Sequence, residues 1–509
     1  MYYIVILALV ALYLYGIRTF NYWKKRGVKN DPPIAFVGNN LNQFIQKTSM
    51  ATMAEETYLK YPEEKVVGFF RGTRPELIIR DPDIMKRILV TDFNNFYSRG
   101  LMPNTQVIEP LMQNLFFADG DLWKLIRQRF SLAFSTGKIK AMFSFITERA
   151  EKLQLLADEV AKLDSYDVRE LMARYTTDFI GACGFGINMD TLNDNNSEFR
   201  KLGRRIFIRT PRDATRGALK FIFPNICKHL HFLASELEDS MNYLVKSVLN
   251  QRNYEPSGQN DFIDLMLELR KKGKIVGESL EEKNPDGTPK TVELDLSDSL
   301  LIAQVFVFFG AGFETSSTAS SHTLHQLAFN QGYQRKVQAE IDIVLKKYNN
   351  KITYEAINEM KCLEKAFYES LRMYPPVAFL MRKSASQYTI PEIDLIIDKN
   401  VTVVIPIRAI FNDAKYFEDP SKFNPDRFTS SKDMKNSVFI PFGDGPRACV
   451  AARLGYMQSM AGLAAILHKF DVETTPETIL KPKSDPTGIV SENFIGGLPL
   501  KLRKRTNCT

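Results

Sequence analysis

The run PFGDGPRACVAARLG at residues 441–455 decides the reading of this chain. A loop rich in turn formers, with Pro441, Gly443, Gly445 and Pro446, gives way to an apolar, small-residue stretch of helical character, and Cys449 stands at the change. A sulfur at a helix N-terminus meets unpaired backbone N–H groups and the positive end of the dipole. Both favour thiolate over thiol, and thiolate is the form that ligates a metal. Gly443 and Gly445 let the backbone approach a flat partner, Phe442 can shield the sulfur from water, and Arg447 carries a fixed charge suited to a carboxylate. Two other readings stand beside this one. One is a buried structural cysteine after a turn. The other is a nucleophile, which needs a base, and of the five histidines the nearest in sequence, His468, is not aimed at Cys449 by anything in the pattern.

Three further patterns lie outward from that run. The stretch FVFFGAGFETSST at 306–318 sits in the middle of the longest helical pattern, 298–329. Glycine there costs about 1 kcal/mol against alanine, and Thr315 competes for backbone carbonyls, so a reason is needed: function, or close helix packing. Glu369 and Arg372 lie three apart on a helix expected over 363–374 and stopped by Pro375-Pro376. An exposed pair of that spacing contributes only ~0.2–0.5 kcal/mol. Trp123 and Arg127 are one turn apart on a helix expected over 122–134.

Together these residues resemble the cytochrome P-450 haem-thiolate monooxygenases. Phe442-x-x-Gly445-x-Arg447-x-Cys449 is similar to that family's haem-binding loop. The likeness extends over nearly the whole chain, with Ala451 standing where the family usually has glycine. The resemblance implies haem b (iron protoporphyrin IX), with Cys449 as the axial ligand of its iron, and a mainly α fold. That fold has a large helical domain, small β-sheets and an N-terminal transmembrane anchor. It implies that Ala311, Gly312, Glu314 and Thr315 belong to the oxygen-binding helix, with Thr315 bonding oxygen and organising water and Glu314 relaying protons. It implies propionate contacts from Trp123, Arg127, Arg382 and Arg447. It also implies a buried network of Glu369, Arg372 and Arg427 behind the haem loop, Arg427 lying in the element Phe423-Asn424-Pro425-Asp426-Arg427-Phe428. The substrate segments of the family select Val107, Phe116, Phe308, Ala311, Val377, Phe379 and Phe494, an apolar set for a lipophilic substrate. The wording around 308–317 and 134–138 looks most like insect microsomal enzymes that oxidise plant toxins and insecticides. An endogenous lipid or hormone is the alternative substrate, and a peroxide isomerase or a non-catalytic haem protein the alternative class.

Composition narrows the rest. At 509 residues with 44% hydrophobic and 25% charged, the chain can bury a large core. A net charge of +8 without dense basic runs suits a membrane surface or an acidic partner and argues against nucleic acid. Five dispersed cysteines read as free thiols in a reducing compartment. Residues 1–17 are uncharged and are followed by Arg18, Lys24, Lys25, Arg26 and Lys29, which predicts an uncleaved anchor with its basic flank cytosolic. The domains expected are the anchor at 1–22, a basic, proline-bearing hinge at 23–33 and a catalytic domain at 34–509, at the endoplasmic reticulum with the domain on the cytoplasmic side. Three glycosylation sequons, at 195–197, 400–402 and 507–509, are expected to stay unmodified there.

No nucleotide fingerprint appears, so electrons must come from a partner. The resemblance implies NADPH–cytochrome P-450 reductase, with cytochrome b5 as an optional donor and O2 as co-substrate. Lys124, Lys138 and Lys140 are candidates for its docking patch. The basic stretch 200–220, leading into Phe221 and Phe223, reads either as a solvated face or as a second membrane contact. The segment 276–296 is expected to be a polar surface loop. His322 and His325 are expected to pack rather than to hold a metal.

Overall fold

The centre of the molecule is one uninterrupted helix, Asp298–Phe329, of 32 residues. At 1.5 Å per residue it is about 48 Å long. Ser297 caps it by accepting from the Leu300 N–H. Its sequence is apolar or small all round because nearly every face is covered. With 72% of its most apolar window buried inside the protein, it is a core helix despite being long enough to cross a bilayer. The computed structural model describes residues 2–102, 104, 107–187, 189, 191, 192–194, 197–428, 438–488, 491 and 493–506.

Around the central helix pack Gly120–Ala133, Thr136–Val160, Val168–Phe185, Ser235–Gln251, Phe262–Lys271 and Gln331–Lys347. Gly120–Ala133 answers to the helix expected over 122–134. A hairpin pairs Val66–Arg71 with Arg74–Ile79. Thr402–Ile405 extends it in parallel, Ile78 facing Val404, and Leu380–Lys383 closes the sheet antiparallel to that strand. A three-stranded sheet of Phe470–Thr474, Pro499–Lys504 and Tyr166–Asp167 ties the C-terminal part to the helices.

Several expectations change. The segment 276–296 is not a loop: Ile275–Lys283 and Pro289–Leu294 form an antiparallel ribbon around the turn at 284–288. A polar sequence can do this because one face is solvated and the other docks by hydrogen bonds, Asp121 accepting from Ser279 Oγ at 2.6 Å and from the Leu280 N–H. The stretch 23–33 is not a free hinge. Trp23 is wholly buried, its ring lies against Gly68, and its indole N–H donates to Phe69 O at 3.0 Å. Arg26 pairs with Asp398 at 2.7 Å. Ahead of it, the apolar helix Tyr2–Ile17 is exposed up to Tyr15, while Gly16 is buried against Phe36 and Ile17 is partly covered.

The basic stretch forms two helices, Glu198–Phe207 and Pro211–Ile222. Arg200 and Arg204 both pair with Glu170, and Arg205 pairs with Asp213. Phe221 turns inward and Phe223 packs on Phe36, so these side chains do not make one outward face. Lys124, Lys138 and Lys140 lie near Glu278, Glu268 and Glu355 at 4.0, 3.5 and 2.9 Å, so each already has a counter-charge. Of the sequons, Asn400 sits exposed in a turn, while Asn195, Asn196 and residues 507–509 lie outside the described residues.

Candidate active site

The loop before Cys449 is built by its glycines for two different reasons. Gly443 takes φ +75° and has only ordinary contacts, whereas Gly445, at φ +69°, lies where a Cβ would meet Leu89 O at 1.9 Å. The close approach at Gly445 is therefore to the protein itself and not to a flat ligand. Asp444 accepts from the Gly445 N–H at 2.7 Å, and the Cys449 N–H donates back to Phe442 O at 2.8 Å, closing the loop. The helix Ala452–Lys469 starts just beyond the cysteine, with Ala451 as its N-cap, so the sulfur stands ahead of the helix N-terminus and near the Ala451 N–H. Burial pushes the Cys449 thiol up; the Ala451 N–H, Arg127 and Arg99 pull it down by less.

Cys449 is open only toward an internal cavity of about 390 Å³. Phe442 and Ala451 border the sulfur, Ala311 and Thr315 form part of one wall, and Phe116, Phe308, Val377 and Phe379 make much of the apolar remainder. Phe308 is held in place by stacking on Phe262, centroids 4.2 Å apart and rings within 7° of parallel. Two expected pocket residues are elsewhere. Val107 does not line the cavity, and Phe494 packs into a separate cluster with His322 at 4.8 Å and Tyr374 at 6.4 Å.

Trp123, Arg127, Arg382 and Arg447 all line this cavity, as expected, and they are joined by Arg99, which the sequence reading missed. Arg447 stacks over Trp123 at 4.2 Å, donates from Nε to Tyr97 O at 2.8 Å and pairs with Asp119 at 3.0 Å. Arg99 donates to Arg447 O at 3.1 Å and lies over Phe116 at 4.3 Å. The signal for Arg99 is tertiary: Ser98 bridges to Lys383, which sets the loop beside Arg382. Burial pushes Arg447 down to about 8, Arg382 to about 9 and Arg99 to about 10, with mutual repulsion adding to the fall at Arg447 and Arg382. Arg447 Nη1 and Arg382 Nε are buried without a hydrogen-bond partner. Arg99, Arg382 and Arg447 thus share Asp119, and two of them keep unfilled donors, a set that fits a flat ligand with two acidic groups.

Behind the cysteine loop, Glu369 accepts from Arg372 Nε at 2.8 Å and Nη2 at 3.0 Å, from Arg427 Nε at 3.0 Å and from the Asn424 N–H at 2.9 Å. Arg372 also donates to Phe411 O and Pro420 O, both at 2.8 Å. Every hydrogen-bonding group of this cluster that is buried is answered, so the spacing that is weak on a surface is a rigid joint here.

A family model for cytochrome P450 matches residues 29–493. The chain belongs to the cytochrome P450 family. Cytochrome P450 6B7 of Helicoverpa armigera is 38% identical over 475 residues, 92% of each chain. Cytochrome P450 6a2 of Drosophila melanogaster is 35% identical over 517 residues, covering 99% of both. Cytochrome P450 6B1 of Papilio polyxenes is 35% identical over 485 residues, 93% of this chain and 94% of that one. The protein is thus a P450 monooxygenase of the insect type, and the family implies a haem cofactor. The unfilled donors, the cysteine and the apolar walls of this P450 fit such a group.

One residue of the P450 central helix, Glu314, differs from expectation. Glu314 does not line the cavity: it is 5% exposed, paired with Arg169 and bonded by Ser491 Oγ at 2.8 Å. Gly312 lines the cavity and also serves packing, since a Cβ there would meet Ile180 Cδ1 at 2.3 Å, and Gly310 faces Phe207 and Ile206. Ala311, Gly312 and Thr315 are among the positions that open to the cavity, and Thr315 Oγ1 donates to Ala311 O at 2.8 Å. His322 and His325 are both fully buried, His322 stacked on Tyr374 at 4.6 Å and His325 bonded to Ile479 O at 3.0 Å. They pack, as expected, but neither is at the surface.

Proposed function

We propose that this P450 inserts one oxygen atom of O2 into a lipophilic small molecule such as a plant toxin, an insecticide or another xenobiotic. Electrons come from NADPH through NADPH–cytochrome P450 reductase, with cytochrome b5 as a second donor. The observation that carries the reading is the Cys449 thiol facing an apolar cavity lined by four arginines, two of which, Arg382 and Arg447, keep unfilled donors. In it, Cys449 is the axial ligand of the iron of haem b, and Trp123, Arg127, Arg382, Arg447 and Arg99 hold the propionates. When bound, haem supplies the redox chemistry that activates O2.

The polypeptide does the rest. Phe116, Phe308, Val377 and Phe379 exclude water and hold an apolar substrate, while Ala311 leaves space at the helix. Thr315 is the hydroxyl available to hold and pass a proton, and Glu314 neutralises Arg169 instead of acting at the cavity. Glu369, Arg372 and Arg427 keep the cysteine loop in place.

Tyr2–Ile17 serves as the anchor in the endoplasmic reticulum, supported by its exposed apolar surface and the basic residues from Arg18 to Lys29. The docking site of the reductase includes the face carrying Lys124, Lys138 and Lys140, whose glutamate partners compete with an acidic partner.

The test is the carbon monoxide difference spectrum of the dithionite-reduced protein, wild type beside Cys449→Ser. A strongly red-shifted Soret band in the wild type, lost in the variant, is expected. A band of the histidine-ligated kind, or none, refutes the assignment. NADPH consumption that depends on added reductase then separates a monooxygenase from an isomerase or a haem sensor.

A further inference from the structure

The cavity has a second cationic group, contributed by elements other than those around Cys449. Gln43, Met50 and Arg71 come from the segment up to the first strand, and Arg209 immediately precedes the capped helix Pro211–Ile222. The charged side chains that act on Arg209 are Arg71 and Asp213, with none from the ring around Cys449, so the two cationic groups are distinct.

The two arginines differ in what they hold. Arg71 is paired on all sides: Nε and Nη2 donate to Glu76 at 2.7 and 3.2 Å, and Nη1 donates to Gln43 Oε1 at 3.2 Å. Arg209 makes no side-chain hydrogen bond among the described residues, its known bonds being those of its backbone to Thr487 O and from Gln46. Asp213 is already engaged by Arg205 at 2.9 Å and by Thr210 at 2.8 and 2.9 Å. Burial pushes Arg209 below the ordinary arginine range, and Arg71 pushes the same way. A desolvated cation without a counter-charge is costly, and the cost is recovered when an anion reaches it. A guanidinium suits a carboxylate in particular, since two parallel N–H bonds match its two oxygens.

We infer that Arg209 anchors the acidic head group of the substrate, which makes the substrate class an amphiphile with an apolar body and a terminal carboxylate. The inference rests on the cavity being the substrate site of a P450. The apolar body lies along the shared lining, with Phe221 beside the head group and Phe116 and Phe308 nearer the cysteine loop. Lipid phosphate offers similar oxygens to a guanidinium, and the experiment separates that source from a free acid.

Full-length haem protein in phosphatidylcholine vesicles is dialysed to equilibrium against dodecanoic acid and, separately, methyl dodecanoate. Wild type is expected to favour the acid about tenfold, the scale of one charge-assisted hydrogen bond. Arg209→Gln brings the acid-to-ester ratio close to one, and Arg209→Lys keeps part of the preference. Equal binding of acid and ester by wild type overturns the inference, as does a preference that survives Arg209→Gln. If that variant instead loses sedimentation with phosphatidic acid vesicles while the acid preference stays, Arg209 serves a lipid head group and the inference falls. The carbon monoxide spectrum of the same samples separates the levels. A thiolate band without acid preference refutes this inference alone, and a missing band refutes the P450 reading and the inference with it.

Discussion

Removing the carboxylate of Glu369 should be far more damaging than its i, i+3 spacing suggests. The side chains of Glu369 and Arg372 are both 0% exposed, and Arg427 is 13% exposed. Glu369→Ala leaves two guanidinium groups facing each other with their shared anion gone, and it also orphans the Asn424 N–H. Breaking a buried ion pair by deleting one member costs about 3–5 kcal/mol. Domain stabilities run to about 5–15 kcal/mol, so much of the margin is lost. The damage is local as well, because Arg372 and Arg427 tie down residues 411–427, which lead toward the cysteine loop. The assay is urea unfolding followed by the Soret band, with Lys162→Ala as the control. Lys162 pairs with Glu159 at the same spacing, but both side chains are 67% exposed, and a solvated pair contributes under about 1 kcal/mol. A Glu369→Ala protein within about 1 kcal/mol of wild type, with an unchanged carbon monoxide spectrum, would refute the idea that burial turns this pair into a joint.

Gly445→Ala should lower the ratio of haem to protein severely, and Gly443→Ala only modestly, because both add strain at positive φ but only the first drives a Cβ into Leu89 O; equal ratios for the two would contradict this. His325 is held neutral by burial, its pKa pushed down to about 4. The unfolded chain then binds the extra proton below pH 6.5, so this histidine removes stability as pH falls from 6.5 toward 4, about 3 kcal/mol in full. In urea titrations, His325→Gln should take one proton from the slope of stability against pH across that window, and an unchanged slope would show that His325 is protonated in the fold. Trp23→Ala should destabilise the domain by about 3–5 kcal/mol in thermal unfolding, as for any fully buried tryptophan. Deleting residues 2–15 should release the protein from membranes while keeping the carbon monoxide band. A hinge free of the domain would give the opposite result for Trp23.

The parts legible in sequence were those that depend on local chemistry. Helix periodicity located the main helices, because an apolar stripe must face a core whatever lies opposite. The cysteine loop, the Glu369–Arg372 spacing and Trp123–Arg127 are short patterns whose residues act within a few positions of one another. What only the tertiary structure decided was direction and company. Glu314 and Thr315 are neighbours in sequence, yet a helix turns about 100° per residue. Thr315 therefore opens to the cavity while Glu314 meets Arg169. Gly312 borders the cavity but also lets Ile180 pack close, and Trp23 reads as linker until Gly68 makes room for its ring. Arg99 and Arg209 belong to no local pattern at all. Each acquires its role from a cavity whose walls are distant in the chain, and charge in such a cavity is set by what burial leaves unpaired.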